Sequence, residues 1–183
     1  DLRNMMLDAA TLFVEKNRHL PFEDFEVALM AMYSIDTGFD AAFYEKAKRE
    51  ELEDRLTEHM MEVYKRRMDA LVEKLYPIVK EVYEKQGKLY QNIAIPVSDG
   101  IKQIGLNLEK AYNSDGREIA KTLSKNIILY QIDEHWKEHL REMDDLKQSV
   151  QNASYEQKDP VVVYKLESYN LFASMLETLN KDV

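Results

Sequence analysis

The sequence predicts a mainly α-helical fold, a long antiparallel helical hairpin beside a smaller helical lobe, with a small β-hairpin around residues 90–108. Apolar residues recur at three- and four-residue steps almost throughout, the spacing that keeps one face of a helix buried. Only five Gly and four Pro punctuate the 183 residues, so few positions force a break. Between Ile93, Ile95 and Val97 the period falls to two, the alternation of a half-buried strand.

Taken in order, Leu2, Met5, Ala9, Leu12 and Phe13 share a face and predict a helix over about 2–17. Phe22, Phe25, Ala28, Leu29 and Met32 predict a second over 22–35, with Pro21 in its first turn. After Asp36-Thr37-Gly38, the stripe Leu52, Leu56, Met60, Val63, Leu71, Leu75, Ile78 and Val82 predicts one long helix over 41–86. Gly87 is expected to stop it, and Pro77 to kink or split it. Ser98-Asp99-Gly100 supplies turn chemistry for the β-hairpin.

Behind Asn113-Ser114-Asp115-Gly116 a long helix is expected over 117–150, carrying Ile119, Leu123, Ile127, Ile132, Trp136, Leu140, Met143, Leu146 and Val150. It would run roughly 50 Å at about 1.5 Å per residue. Asp159-Pro160 reads as an N-cap followed by a first-turn proline. It opens a helix over about 160–181 whose Val162, Leu166, Tyr169, Phe172, Leu176 and Leu179 share a side. Two apolar stripes across a short connection make a helical hairpin. The expected organisation is residues 1–116 as one lobe and 117–183 as the hairpin, and the helical spacing already present at Asp1-Leu2-Arg3 suggests a piece of a longer chain.

Composition narrows the function classes. A formal net charge of −9 opposes binding to nucleic acid, whose affinity comes largely from clustered Lys and Arg. The absence of cysteine excludes disulfides, thiol catalysis and thiolate metal sites, and fits a reducing cytoplasm. The longest apolar run, Val27 to Ile35, is too short to span a bilayer.

The sharpest chemical motif is His135-Trp136-Lys137-Glu138-His139. It fits H-x-x-E-H, in which imidazoles four apart on a helix hold zinc beside a carboxylate. The same residues read more readily as the solvated face of a Glu-rich helix, the preferred reading; the alternatives are a zinc hydrolase using His135, Glu138 and His139, and a helical adaptor that binds a partner protein through its apolar stripes. Gly100 and Gly105 have P-loop spacing, but Leu106-Asn107 stands where Lys and Ser or Thr would hold phosphate and magnesium. The nine methionines and Trp136 read as packing residues. Tyr155 sits in the connection among Ser154, Glu156, Gln157 and Lys158, where it either contacts a partner or folds back as a loop-closing staple.

The stretch from Asp133 through Trp136-Lys137-Glu138-His139-Leu140, Met143-Asp144 and Leu146 to Gln148, then Tyr155-Glu156-Gln157-Lys158-Asp159-Pro160 and Tyr164-Lys165-Leu166-Glu167-Ser168-Tyr169, resembles the bacterial SecA preprotein translocase ATPase family. The resemblance implies that 117–183 is the two-helix finger of the helical scaffold domain and that 1–116 is the helical wing domain. It implies that Tyr155 at the finger tip contacts a translocating preprotein at the mouth of the SecYEG channel, with Ser154, Glu156, Gln157 and Lys158 around it and Trp136, Asp159 and Pro160 in structural roles. His135 falls on a variable position of the pattern, which favours the scaffold reading over zinc. ATP and magnesium would belong to motor domains outside this sequence, and zinc to a C-terminal tail outside it. The fragment itself is expected to be non-catalytic and to carry no cofactor. Its other implied partners are the motor domains and anionic membrane lipids, at the cytoplasmic face of the inner membrane. Asn152-Ala153-Ser154 departs from the Leu-Arg-Gly type of sequence frequent in the family, and the β-hairpin looks like an insertion in the wing.

Overall fold

The computed structural model describes residues 2–86, 89–97, 102–153 and 159–182. It is mainly α-helical with one two-stranded antiparallel sheet among the described residues, as the apolar periodicity predicts. Two compact units are present, residues 1–126 and 127–183.

The first unit opens with α1 (Leu2–Asn17), which buries Ala9, Ala10, Phe13 and Val14. The Asn17 side-chain amide donates back to the Phe13 carbonyl and closes its last turn. Helix α2 (Phe22–Tyr33) follows Pro21, with Glu23 and Asp24 in its first turn, where negative charge meets the positive end of the helix dipole. It stops two residues before the expected end at 35 because Ser34 adopts φ 55 and turns its N–H onto the Met30 carbonyl. The Arg67 guanidinium donates to the Ser34 carbonyl at 2.6 Å and fixes that turn.

The helix expected over 41–86 is two helices, α3 (Ala41–Lys46) and α4 (Arg49–Gln86). Asp40 caps α3 by accepting from the Phe43 N–H at 2.9 Å. Ala47 is extended at ψ 141 and ends it. The Lys48 N–H then donates to the Glu51 carboxylate at 2.8 Å, half of a capping box that restarts the helix. Pro77 lies inside α4 without dividing it. A proline there loses one backbone bond, but Leu75, Tyr76, Val79 and Val82 around it pack on the second core, and tertiary packing outweighs the local cost.

The first core joins α1, α2, α3 and the first half of α4 through Phe13, Phe25, Leu29, Tyr44, Leu52, Leu56, Met60 and Val63. Phe13 meets Phe25 edge to face at 5.0 Å, the arrangement ring quadrupoles favour. Tyr44 is buried yet satisfied, since its hydroxyl donates to the Arg18 and Leu20 carbonyls. The Arg18 guanidinium stands 4.3 Å over the Tyr44 ring centre.

The second core is built on β1 (Asn92–Val97) and β2 (Lys102–Asn107), antiparallel from Asn92 opposite Asn107 to Val97 opposite Lys102. A lone two-stranded sheet is marginal in water; here Ile93, Ile95 and Leu106 pack with Val72, Leu75 and Val79 of α4. Leu108, expected within the β-hairpin, instead starts a helix absent from the sequence reading, α5 (Leu108–Asn113). Asn107 caps it by accepting from the Lys110 N–H at 2.9 Å. Leu108, Ala111 and Ile119 complete the core. Gly116, at φ 83, turns the chain into α6 (Arg117–Ala153). The Ser98-Asp99-Gly100 turn and the Gly87 stop lie outside the described residues.

The second unit comprises α6 from Ile127 onward and α7 (Pro160–Asp182). The two run antiparallel, with Gln131 and His135 near the start of that stretch of α6 hydrogen-bonded to Asp182 at the end of α7.

Candidate functional site

The helical hairpin of the second unit carries His135, Trp136, Glu138, His139, Asp159 and Pro160. Its base is tied by the Gln131 amide donating to the Asp182 carbonyl and by the His135 Nε2 contact to the Asp182 carboxylate at 3.0 Å. At the other end, Asp159 precedes α7 and its carboxylate accepts from the Val161 N–H at 2.9 Å. That bond satisfies one of the donors a helix start leaves free. Pro160 is the first residue of α7, where its missing N–H costs nothing. The connection that follows Ala153, with Ser154, Tyr155, Glu156, Gln157 and Lys158, lies outside the described residues.

The seam between the helices differs from the one the apolar stripes predict. On α6 from Ile127 to Val150 the buried and half-buried positions are Ile128, Gln131, His135, His139, Met143, Leu146 and Val150, spaced by three and four residues. On α7 they include Tyr164, Ser168, Leu171, Met175 and Leu179. The expected stripe residues Ile132, Trp136 and Leu140 are 42, 46 and 49 % exposed, and Leu166 and Tyr169 on α7 reach 59 and 70 %. The physical reason is that α6 and α7 are apolar on more than one face. Periodicity finds a face without saying which one meets the neighbour.

Trp136 is therefore a flanking residue whose ring lies 5.4 Å from that of His139. His139 is buried in the seam at 6 % exposure, edge-on to Phe172 at 5.8 Å, and its Nδ1 has no partner among the described residues. A buried polar atom left without a partner carries a desolvation cost. Glu138 points away, accepting from the Arg141 guanidinium at 2.7 Å on the exposed surface. The three residues of the zinc reading are thus divided between Asp182, Arg141 and an apolar seam. Among the described residues no group of three or more His, Asp or Glu is arranged to hold a metal.

The outer face of α6 is laced with short-range ion pairs. Lys137 reaches Asp133 at 2.6 Å and Glu134 at 3.2 Å. These hydrogen bonds, with Asp133 first, hold its ammonium above the usual lysine range. Lys147 is held up in the same way by the Asp144 carboxylate. Such exposed pairs are each worth little, but they keep this face polar. Gly105, half of the P-loop spacing, lies within β2 opposite Ala94, in a strand rather than a phosphate-cradling loop. Among the described residues no helix is long and apolar enough to cross a membrane.

Comparison with known proteins bears on the whole chain. Residues 2–183 match the family described as SecA Wing and Scaffold domain. The chain is 42 % identical over 183 residues to the protein translocase subunit SecA of Parabacteroides distasonis, covering 99 % of this chain and 16 % of that protein. It is 41 % identical to the SecA of Phocaeicola vulgatus over 184 residues, covering 100 % of this chain and 16 % of that protein. Against the SecA of Flavobacterium psychrophilum the identity is 39 % over 186 residues, covering 100 % of this chain and 17 % of that protein. No solved structure matches the chain. The chain spans about one sixth of the length of the curated relatives it matches. With the family match running from Leu2 to Val183, this chain belongs to the SecA wing and scaffold domain family.

Proposed function

We propose that this chain is the non-catalytic wing and scaffold part of a protein-translocating motor, with residues 1–116 as the helical wing and 117–183 as the two-helix finger. ATP is hydrolysed elsewhere in such a motor, and the finger passes the resulting movement to a preprotein entering the SecYEG channel. The observation that carries this reading is the family match over residues 2–183. The antiparallel pairing of α6 and α7 supports it, because the pairing leaves residues 154–158 as the connection between two packed helices. A helix pair resists bending, since each turn is held by backbone hydrogen bonds and side chains of one helix lodge between those of the other. A displacement applied at the base of the finger is then delivered at its tip.

At that tip Tyr155 meets the translocating chain. A phenol ring grips many sequences by dispersion, and its hydroxyl bonds to exposed peptide groups, which suits a motor that moves diverse substrates. Ser154, Glu156, Gln157 and Lys158 supply the polar surroundings, and Asp159 and Pro160 fix where the returning helix starts. The working partners are the preprotein, the SecYEG channel, the motor domains and anionic lipids of the inner membrane, which the protein meets from the cytoplasm as a peripheral component.

The test is Tyr155→Ala in the full-length translocase subunit, followed by preprotein transport into membrane vesicles. A lost aromatic contact of about 1 kcal/mol slows transport roughly fivefold, while circular dichroism and the thermal midpoint stay unchanged. Transport at the rate of the parent protein would remove Tyr155 from the mechanism.

A further inference from the structure

Within the first unit, the inner face of the β-hairpin does not close completely against the helices. Leu71 and Leu75 of α4, Ile95, Pro96, Ile104 and Leu106 of the two strands, and Ile119, Thr122 and Leu123 of α6 surround an apolar cavity of about 230 Å³. Of its lining residues, Leu106 and Ile119 are fully buried, whereas Leu71, Leu75, Ile95, Ile104 and Leu123 are half-buried. Among the described residues that line it, Thr122 has the one polar side chain and no residue is charged.

The pocket is partly open to solvent, with Pro96 exposed, and a guest seated in it restores dispersion contacts that its aliphatic walls lack. Water is weakly held there, because a well-bound water needs two to four polar partners and Thr122 is the one polar side chain among the described lining residues. Nucleotides, sugars and anions are excluded by the same lining. The volume lies below the roughly 300–1,000 Å³ of sites for drug-sized ligands, so the guest is small.

We propose that this cavity is a binding site for a small uncharged hydrocarbon ligand, aliphatic or monocyclic aromatic, held by dispersion and apolar burial. Such a ligand touches α4, both strands and α6 together. It therefore fastens the β-hairpin to its seat, and occupancy controls how often the strands open.

The experiment is hydrogen exchange followed by mass spectrometry on the full-length protein, with benzene as the probe, titrated to its solubility limit. For openings that expel the ligand, exchange slows by one plus the ratio of ligand concentration to Kd, about tenfold at ten times Kd. That slowing should saturate and be confined to peptides covering 92–97, 102–107 and 117–126. Leu75→Phe, which fills the cavity from within, should protect the same peptides without benzene and abolish the response to it. Should Leu75→Phe fail to fold, Leu123→Phe makes the same test from the opposite wall. Unsaturable slowing across the whole protein, or no change in those peptides at the solubility limit, would overturn the proposal.

Discussion

The turn from α5 into α6 allows one substitution to be tried at two glycines with opposite expected results. Gly116 has φ +83, and an added Cβ would lie 2.6 Å from Val72 Cγ1 and 3.2 Å from Tyr76. An L-residue held in the left-handed region costs about 1–2 kcal/mol. Val72 sits inside α4, where a β-branched side chain has one strongly preferred rotamer, so relieving the clash adds about 1–3 kcal/mol. Reduced freedom of the unfolded chain returns about 0.4–1 kcal/mol. Gly116→Ala should therefore destabilise by about 1–4.5 kcal/mol. At Gly105, in β2, an added Cβ meets nothing within 4 Å and φ is not positive. Since glycine inside a strand is worse than alanine by about 0.5–1 kcal/mol, Gly105→Ala should stabilise by that amount. Urea unfolding followed by far-ultraviolet circular dichroism measures both, provided the slopes agree. If Gly105→Ala loses as much stability as Gly116→Ala, backbone conformation and close contact do not set the cost, and the reasoning fails.

Further outcomes are expected elsewhere in the chain. Leu56 is fully buried in the first core, so Leu56→Ala should cost about 2–5 kcal/mol, seen by calorimetry as a fall of roughly 5–15 °C; a fall within 2 °C would contradict the packing. His139→Leu removes a buried nitrogen that has no partner among the described residues. It should stabilise the α6–α7 pair by about 1 kcal/mol, read as slower amide exchange along both helices, and faster exchange would mean the ring is satisfied. The Lys85 ammonium, through a hydrogen bond and then its charge, holds the Glu81 carboxyl below its ordinary 4.5. That lowered value contributes stability above the unfolded pKa, and the contribution disappears as pH falls through the folded one. Lys85→Met should accordingly return the Glu81 titration, followed by carbon-detected NMR, upward toward 4.5, and an unmoved titration would remove the pair as the cause.

Local chemistry made most of the elements legible. The Asp159-Pro160 pair marks the start of α7, and the alternation Ile93, Ile95, Val97 marks β1, because caps, prolines and strand alternation act through neighbours in sequence. The interruption at Ala47-Lys48 was locally encoded too, through Glu51 three residues after Lys48, but the helix predicted from the stripe that starts at Leu52 was carried back across it to residue 41. Helix α5 is six residues long, too short for periodicity to register, and Asn107 was its only clear signal. The motif residues His135, Glu138 and His139 were readable as a pattern, yet their three different surroundings were not.

The sequence by itself determined that this chain is helical, where most of its helices begin and end, and which family its C-terminal motifs resemble. Only the tertiary structure decided that Gln131 and His139 turn inward while Trp136 and Leu140 turn out. Each helix of that pair offers several apolar faces of similar quality, so burial is chosen jointly. The face that wins is the one whose side chains fill the spaces left by the partner, a property that neither helix possesses alone.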